Sequence, residues 1–325
     1  MINILVNEWK GFFRNKLFVF LSLFFLISLC VVTFFGIIQN EKQLEEQKIA
    51  QEHIRLQWDQ MEPSNPHSAA HFGSYAFKST SILNSIDEGI NAVTGNVLRL
   101  EGHKQNDVVF SEASQSLLIS KFGKLKPALI FQFIIPLFLI FFSFNSYTSE
   151  RSNGRLKLLL IQGASLRQIV FSKVFSIWVI GIVLLLASII VQFVFNSTEL
   201  SSDTFLRLIL LLFTYAIYFF IIVTLTVLLS VIFKNSTAAL SVTILIWVIW
   251  TIFLPSIIGK TAEEISPLPT RIDFKESMAS DRSKGIDGHN PRGDRRQALE
   301  KATLEKYNVE KLKDLPINFS GILMQ

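Results

Sequence analysis

The sequence predicts an all-α polytopic membrane protein with five transmembrane helices and two extracytoplasmic, mainly helical domains. Half of the 325 residues belong to the hydrophobic set, and 30 residues are Phe. The mean hydropathy is +0.41, which is typical of membrane proteins because soluble domains of this size rarely carry so much apolar residue. Apolar runs long enough to cross a hydrocarbon core of about 30 Å alternate with polar segments of different charge.

Residues 1–16 predict an interfacial elbow helix on the cytosolic face of the membrane. Ile2, Leu5 and Trp9 fall at helical spacing among charged side chains, and Trp9 is suited to headgroup depth. Residues 17–38 form an uncharged apolar run and predict the first span. The apolar region of a cleavable signal peptide is only about 7–15 residues long. We therefore predict an uncleaved span with the N-terminus inside.

Residues 39–126 are polar and predict the first extracytoplasmic domain. The domain begins as a continuing helix that ends near Pro63, and Gly73 indicates a turn leading into a short extended piece. His67 and His71 stand four residues apart, so on a helix they share a face and could bind a metal. A closed tetrahedral site needs four ligands, and the spacing supplies only these two. We therefore predict no structural metal.

The remaining apolar runs predict spans at residues 127–146, 169–195, 205–233 and 237–258. The second span contains Pro136, whose kink is tolerated when a neighbouring helix satisfies the freed carbonyl. The segment between the third and fourth spans carries two acids and no Lys or Arg, as expected of an outside loop. Because successive spans cross the membrane in opposite directions, residues 259–325 are predicted to form a second extracytoplasmic segment.

Residues 147–168 separate the second and third spans and form a basic, amphipathic segment. Its charged residues are Glu150, Arg151, Arg155, Lys157 and Arg167. Cationic loops beside spans remain in the cytoplasm, so this segment fixes the orientation of the chain. Leu156, Leu159 and Leu160, followed by Gly163, predict a short surface helix with an apolar face that is presented to the cytosol.

The string SERSNGRLKLLLIQGASLRQIVFSKV resembles the cytosolic loop of ABC-2 type transporter permeases. The matching positions are Glu150, Arg151, Gly154, Arg155, Leu156, Gly163, Ser165 and Lys173. The string NPHSAAHFG resembles the extracytoplasmic loop of the DUF3526-like subgroup of that family. The resemblance implies the permease subunit of an ATP-driven exporter in the bacterial inner membrane. It also implies a second permease subunit and ABC ATPase subunits that contact the cytosolic loop.

This resemblance gives a set of candidate ATPase-coupling residues. They are Glu150, Arg151, Gly154, Arg155, Leu156, Leu159, Leu160, Gly163 and Arg167. In this hypothesis the leucines form a hydrophobic knob, the arginines provide charge at its rim, and Gly154 gives the backbone freedom to enter the helix. Gly259-Lys260-Thr261 ends like a phosphate-binding loop, but Leu254 stands where that motif has its first Gly. We therefore expect no cofactor and no catalytic activity in this chain, with ATP bound by the partner.

The net charge of +5 does not indicate nucleic-acid binding, because much of it lies beside spans. The spans contain almost no ionisable residues, which argues against ion-coupled transport. Permeases of the resembled family typically have six spans, so we expect this chain to lack the last one or to be part of a longer subunit. An alternative hypothesis is a non-transporting membrane anchor whose extracytoplasmic domains bind an envelope partner.

Overall fold

The computed structural model describes residues 2–102, 125–195, 201–283 and 294–319. Within this part of the chain five helices are long and apolar enough to cross a membrane. They are Lys16–Asp59, Pro127–Ser152, Leu166–Phe195, Ser202–Ile232 and Ser236–Ile265. The predicted all-α membrane fold with five spans is confirmed.

The elbow region and the first span are separated by a single capping residue. Helix α1 runs from Ile2 to Arg14, and helix α2 is Lys16–Asp59. Between them the Asn15 side chain accepts a hydrogen bond from the Leu17 amide at 3.0 Å, which caps α2. The 44 residues of α2 extend about 66 Å at 1.5 Å per residue, about twice the hydrocarbon thickness. The predicted first span and the helical start of segment 39–126 are therefore one continuous helix.

Short elements follow α2 in the described part of segment 39–126. They are α3 (Pro66–Phe72), β1 (Ser74–Phe77), α4 (Ile82–Ile86), α5 (Asn91–Thr94) and β2 (Val97–Leu100). The strands pair antiparallel, with Ser74 opposite Leu100. Gly73 has a φ of 74°, and β1 begins directly after it, where the sequence predicts an extended piece. Residues 103–124 of this predicted domain lie outside the described residues.

The later spans and their connections are numbered in chain order. They are α6 (residues 127–143), α7 (Thr148–Ser152), α8 (Arg155–Ile161), α9 (Leu166–Phe195), α10 (Ser202–Ile232) and α11 (Ser236–Ile265). Helix α6 includes a π-helical turn at Ile130–Ile134, and α11 includes another at Ile249–Phe253. The outside loop predicted between α9 and α10 falls largely on residues 196–200, which lie outside the described part of the chain.

Helices α6 and α9 form the centre of the bundle. In the most apolar stretch of each span, 61% of the residues are buried in the span that begins with α6 and 50% in α9. The corresponding shares are 17% in α2 and 11% in α11. Gly181 on α9 permits close packing, because a Cβ there would lie 3.0 Å from Phe219 and 3.1 Å from Leu139. Thr33 and Ser188 share a buried hydrogen bond of 2.8 Å between α2 and α9. The edge helices thus leave broad apolar faces suited to lipid or to another subunit.

Pro136 is accommodated as the sequence predicts. Proline has no N–H to donate to the carbonyl four residues earlier, which here belongs to Gln132. The hydroxyl of Tyr218 on α10 donates to that carbonyl at 3.1 Å. A neighbouring helix therefore satisfies the acceptor that Pro136 leaves without an intrahelical donor, which is how prolines are tolerated in membrane spans.

Helix α4 is packed into one end of the bundle, against α2 and α9. The Ser85 hydroxyl donates to the Gln192 side chain on α9 at 2.8 Å, and Ile86 is completely buried. A Cβ on Gly36 of α2 would lie 2.5 Å from the Ser85 carbonyl oxygen. The buried Lys126, just before α6, lies 3.6 Å from Glu88. These contacts hold the middle and the last residue of the polar segment against three spans.

Residues 252–325 form a second compact unit. It comprises the end of α11, then α12 (Arg271–Ser283), α13 (Asp294–Tyr307) and a 3₁₀ turn at Leu312–Asp314. Asp294 is the first residue of α13. Residues 284–293 and 320–325 of the predicted second extracytoplasmic segment lie outside the described residues. Apolar side chains such as Leu268 are highly exposed in this unit.

The contact between Gly36 and Ser85 gives the first testable prediction. Gly36→Ala should lower the thermal unfolding temperature of the purified protein, because its Cβ must displace the α4 backbone. Gly11→Ala is the matched control, since nothing lies within 4 Å of its Cβ position and alanine favours helix by about 1 kcal/mol. Equal unfolding temperatures for the two variants would show that α4 is not packed on α2 in this way.

Candidate functional site

The segment between the second and third spans is shaped by two glycines. Gly154 has a φ of 74° and immediately precedes α8, whereas Gly163 has a φ of 87° and follows it. The amide of Gly163 donates to the Leu160 carbonyl at 3.0 Å, and the amide of Ala164 donates to the Leu159 carbonyl at 3.0 Å. This pattern is a Schellman motif, which satisfies the last carbonyls of α8. Both glycines therefore occupy left-handed conformations that L-residues adopt only with strain.

The third span begins with a capping box that the sequence analysis missed. The Ser165 hydroxyl accepts a hydrogen bond from the Gln168 amide at 3.3 Å, and the Gln168 side chain accepts one from the Ser165 amide at 3.0 Å. The spacing Ser-x-x-Gln is the sequence signal for this arrangement. It sets the point at which α9 starts and thereby the length of the loop after α8.

A buried ion cluster joins the start of α9 to two other elements. The Lys173 side chain is only 2% exposed, and its ammonium lies 2.8 Å from a Glu8 carboxylate oxygen and 2.9 Å from a Glu150 carboxylate oxygen. Glu8 belongs to α1 and Glu150 to α7. A buried ammonium between two carboxylates holds these helices together, because separating them would leave a charge without compensation. Lys173 and Glu150, both in the matching string, thus form internal contacts.

Helix α7 is also attached to the last turn of α10. The Ser230 hydroxyl accepts hydrogen bonds from the Tyr147 and Thr148 amides, each at 3.2 Å. The Arg151 guanidinium donates to the Val231 carbonyl at 2.6 Å and covers the Tyr147 ring, with 5.0 Å from its Cζ atom to the ring centroid. A cation on the last carbonyls of a helix stabilises that helix end. Arg151 is therefore held against α10, whereas Arg155 and Arg167 are exposed without such contacts in the described residues.

The apolar side chains of α8 divide between two faces. Leu156 and Leu159, two of the three predicted knob residues, are half-buried. Leu160 is 40% exposed, but the most exposed side chains are Leu158 at 59% and Ile161 at 82%. Leu158 and Ile161 were not among the candidates, although their spacing of three residues places them on one helical face. The most accessible apolar surface is therefore centred on Leu158 and Ile161.

The histidine pair of the polar segment lies far along the sequence from this site. His67 and His71 are on α3, and their Nε2 atoms are 3.3 Å apart. Within the described ranges no group of three or more His, Cys, Asp or Glu residues could hold a metal ion. The histidines alone supply two ligands, so the absence of a structural metal stays a prediction.

Comparison with known proteins decides the family. A model of the family described as "ABC-2 family transporter protein" matches residues 2–279. The chain belongs to the ABC-2 transporter family. The match extends from α1 into α12, so it includes all five candidate spans and the segment with the buried ion cluster. A comparison with curated proteins found no match.

Membership of the ABC-2 family makes this chain a multi-pass membrane component of a transporter. The family consists of transmembrane components that are generally not catalytic themselves, and ATP hydrolysis by another subunit stays a prediction. The match is to the family as a whole, so the resemblance to the DUF3526-like subgroup and the missing last span stay predictions. The roles of the candidate coupling residues in this ABC-2 protein also stay predictions.

The ion cluster gives a prediction about stability. Lys173→Met should lower the free energy of unfolding by about 3–5 kcal/mol, because it leaves two carboxylates close together and out of water. Unfolding in detergent, followed by circular dichroism, measures this loss. Lys157→Met is the matched control, because Lys157 is exposed on α8. The triple variant Glu8→Gln, Glu150→Gln, Lys173→Met should recover much of the loss, since no uncompensated charge remains.

A Lys173→Met protein as stable as the Lys157→Met protein would contradict the buried cluster. Failure of the triple variant to recover stability would indicate that Lys173 contributes through packing of its side chain rather than through its charge.

Proposed function

We propose that this chain is the permease subunit of an ATP-driven exporter and that a partner ATPase drives it through residues 147–168. The observation that carries the proposal is the exposed apolar helix α8, which lies between two spans of an ABC-2 family protein. The chain has no Walker A motif of its own, so nucleotide hydrolysis requires another subunit. A second permease subunit would complete the translocation pathway.

The contact surface for the ATPase consists of an apolar centre and a basic rim. Leu158 and Ile161 form the exposed centre, and Arg155 and Arg167 are nearby in sequence. Leu160, which is 40% exposed, lies on the face that it shares with Leu156. Burying apolar side chains supplies most of the affinity of such contacts, whereas charges at the rim chiefly guide association. The half-buried Leu156 and Leu159 support α8 from its other face.

Motion of the ATPase would reach the spans through α7. Gly154 and Gly163 flank α8 and allow it to be oriented as a short rigid unit. Glu150 and Arg151 attach α7 to α9 and α10, and the Glu8 contact with Lys173 adds α1 to the same group. A displacement of α8 would therefore move these helix ends together, as a lever between inward- and outward-facing arrangements.

Ile161→Asp tests the ATPase contact. It should abolish complex formation with the ATPase or reduce stimulated ATP hydrolysis by at least about tenfold, because a carboxylate in a desolvated contact costs several kcal/mol. Co-purification and ATPase assays in lipid measure both effects. The variant should fold normally, since the Ile161 side chain is 82% exposed. Leu268→Asp is the matched control, because Leu268 is 85% exposed and lies in the predicted second extracytoplasmic segment.

If Ile161→Asp left complex formation and ATP hydrolysis unchanged, the coupling assignment would be wrong. The membrane anchor that binds an envelope partner would then become the preferred function. A loss of coupling in Leu268→Asp as large as in Ile161→Asp would also contradict the assignment, because that residue should not meet the ATPase.

The orientation of the chain is tested by cysteine labelling in a Cys30→Ala background, since Cys30 is the one native cysteine. Ile161→Cys should react with a membrane-impermeant maleimide only after the cytosolic side is opened, and Leu268→Cys should react from outside. The physical reason is the cation asymmetry of the short loops. Reaction of Ile161→Cys from outside alone would overturn the topology and with it the ATPase contact.

A further inference from the structure

A cavity of about 530 Å³ lies between α6, α10 and the first part of α11, at the end of the bundle where α4 is packed. Pockets that bind small organic ligands typically measure about 300–1,000 Å³. The side chains that matter here are those of Asp87, Gln132, Phe133, Tyr215, Tyr218 and Trp250. The cavity therefore combines one carboxylate and several hydrogen-bonding groups with aromatic walls.

Both π-helical turns of the described residues border this cavity. Gln132 and Phe133 lie on the turn in α6, and Trp250 and Thr251 lie on the turn in α11. Each turn precedes a proline, Pro136 in α6 and Pro255 in α11, so the backbone widens where an intrahelical donor is lacking. π-Helical turns are rare and occur frequently at functional sites, where they redirect side chains. Their presence on two facing helices at one cavity points to a binding site.

A chain of hydrogen bonds fixes the polar groups of the cavity. The Gln132 side-chain amide donates to the Tyr215 hydroxyl at 3.3 Å, and that hydroxyl donates to Asp87 at 3.4 Å. The Tyr218 hydroxyl, which donates to the Gln132 carbonyl, accepts from the Trp247 indole at 3.2 Å. These bonds orient the two tyrosine rings before any ligand is present, which lowers the ordering cost of binding.

The adjacent acidic residues Asp87 and Glu88 have different kinds of partner at this end of the bundle. Glu88 is buried, and its carboxylate lies 3.6 Å from the Lys126 ammonium. Asp87 accepts instead from neutral donors, the Gly89 amide at 2.8 Å and the Tyr215 hydroxyl. Among the described residues no basic side chain forms an ion pair with Asp87. Asp87 is half-buried beside apolar walls, where a carboxylate attracts a cation more strongly than it would in bulk water.

We propose that this cavity binds an amphipathic organic cation. The cationic centre would lie against the Asp87 carboxylate, and the apolar body would contact Phe133, Tyr218 and Trp250, whose ring faces attract cations. The inference that the permease transports this cation rests on the proposed function. Binding itself can be measured on the purified chain without an ATPase.

Tetraphenylphosphonium is a suitable probe, because tetraphenylborate has the same shape with the opposite charge. We expect saturable calorimetric binding of the phosphonium to the full chain in an uncharged maltoside detergent, and no comparable binding of the borate. Asp87→Asn should weaken phosphonium binding by at least about tenfold, which corresponds to about 1.4 kcal/mol. Asp203→Asn is the matched control and should bind like the unmodified protein, because Asp203 is exposed and pairs with Arg207 at 2.8 Å.

Trp250→Ala provides an independent arm if Asp87→Asn fails to fold. It should also weaken phosphonium binding, and Trp250→Phe should restore most of it, because a second aromatic face replaces the first. Equal affinities in Asp87→Asn and Asp203→Asn, or unchanged affinity in Trp250→Ala, would overturn the proposal. So would borate binding as tight as phosphonium binding, since it would indicate partition into apolar surface.

Both a free amphiphile and a lipid headgroup can supply the cationic centre of the ligand. Competition with lipids distinguishes these two sources. Displacement of the phosphonium by phosphatidylethanolamine, but not by phosphatidylglycerol, would support the cation site and identify a headgroup as its occupant. Displacement by neither lipid, with Asp87-dependent binding intact, would support a free amphiphile. If the unmodified protein bound no phosphonium while Ile161→Asp still abolished the ATPase contact, this ligand class would be wrong and the proposed permease function would stand.

Discussion

The ammonium of Lys173 is buried, and its need for compensating charge unites distant parts of this chain. Glu8 and Glu150 supply that charge from α1 and α7, within 3 Å of the ammonium nitrogen in both cases. Removing an ion from water costs several kcal/mol unless partners are held close. The elbow helix and the segment after the second span therefore cannot leave α9 separately. The ion cluster therefore favours movement of these helices as one group.

At the opposite end of the bundle, neutral hydrogen bonds join the spans beside the buried ion pair of Lys126 and Glu88. Ser85 bonds to Gln192, and Tyr218 satisfies the carbonyl that Pro136 leaves without an intrahelical donor. Such bonds between helices are each worth only about 0.6–2 kcal/mol in a membrane. A hydrogen-bonded, aromatic cavity can therefore adjust its shape at lower cost than an ion cluster can. That difference suits a ligand site at one end and a force-bearing contact at the other.

Helices α6 and α10 connect these ends. Helix α6 carries Gln132 at the cavity and leads through a turn into α7, which holds Glu150. Helix α10 carries Tyr215 at the cavity, and its last carbonyls bind Arg151. Helix α10 is continuous over this distance, and α6 continues from its π-helical turn and Pro136 towards α7, so a displacement at one end changes the position of the other. The proposed coupling segment and the proposed ligand site thus share two structural elements.

The sequence by itself determined the five spans, the elbow helix and the glycine-bounded helix α8. These features are local, because helices in lipid satisfy their backbone groups within the segment, and because Gly154 and Gly163 are suited to left-handed positions that other residues resist. The tertiary structure decided which polar groups meet. Lys173 and Glu8 are 165 positions apart, and no periodicity relates them. Packing also decided that Leu156 and Leu159 are half-buried while Ile161 is exposed, since the neighbours of α8 come from elsewhere in the chain.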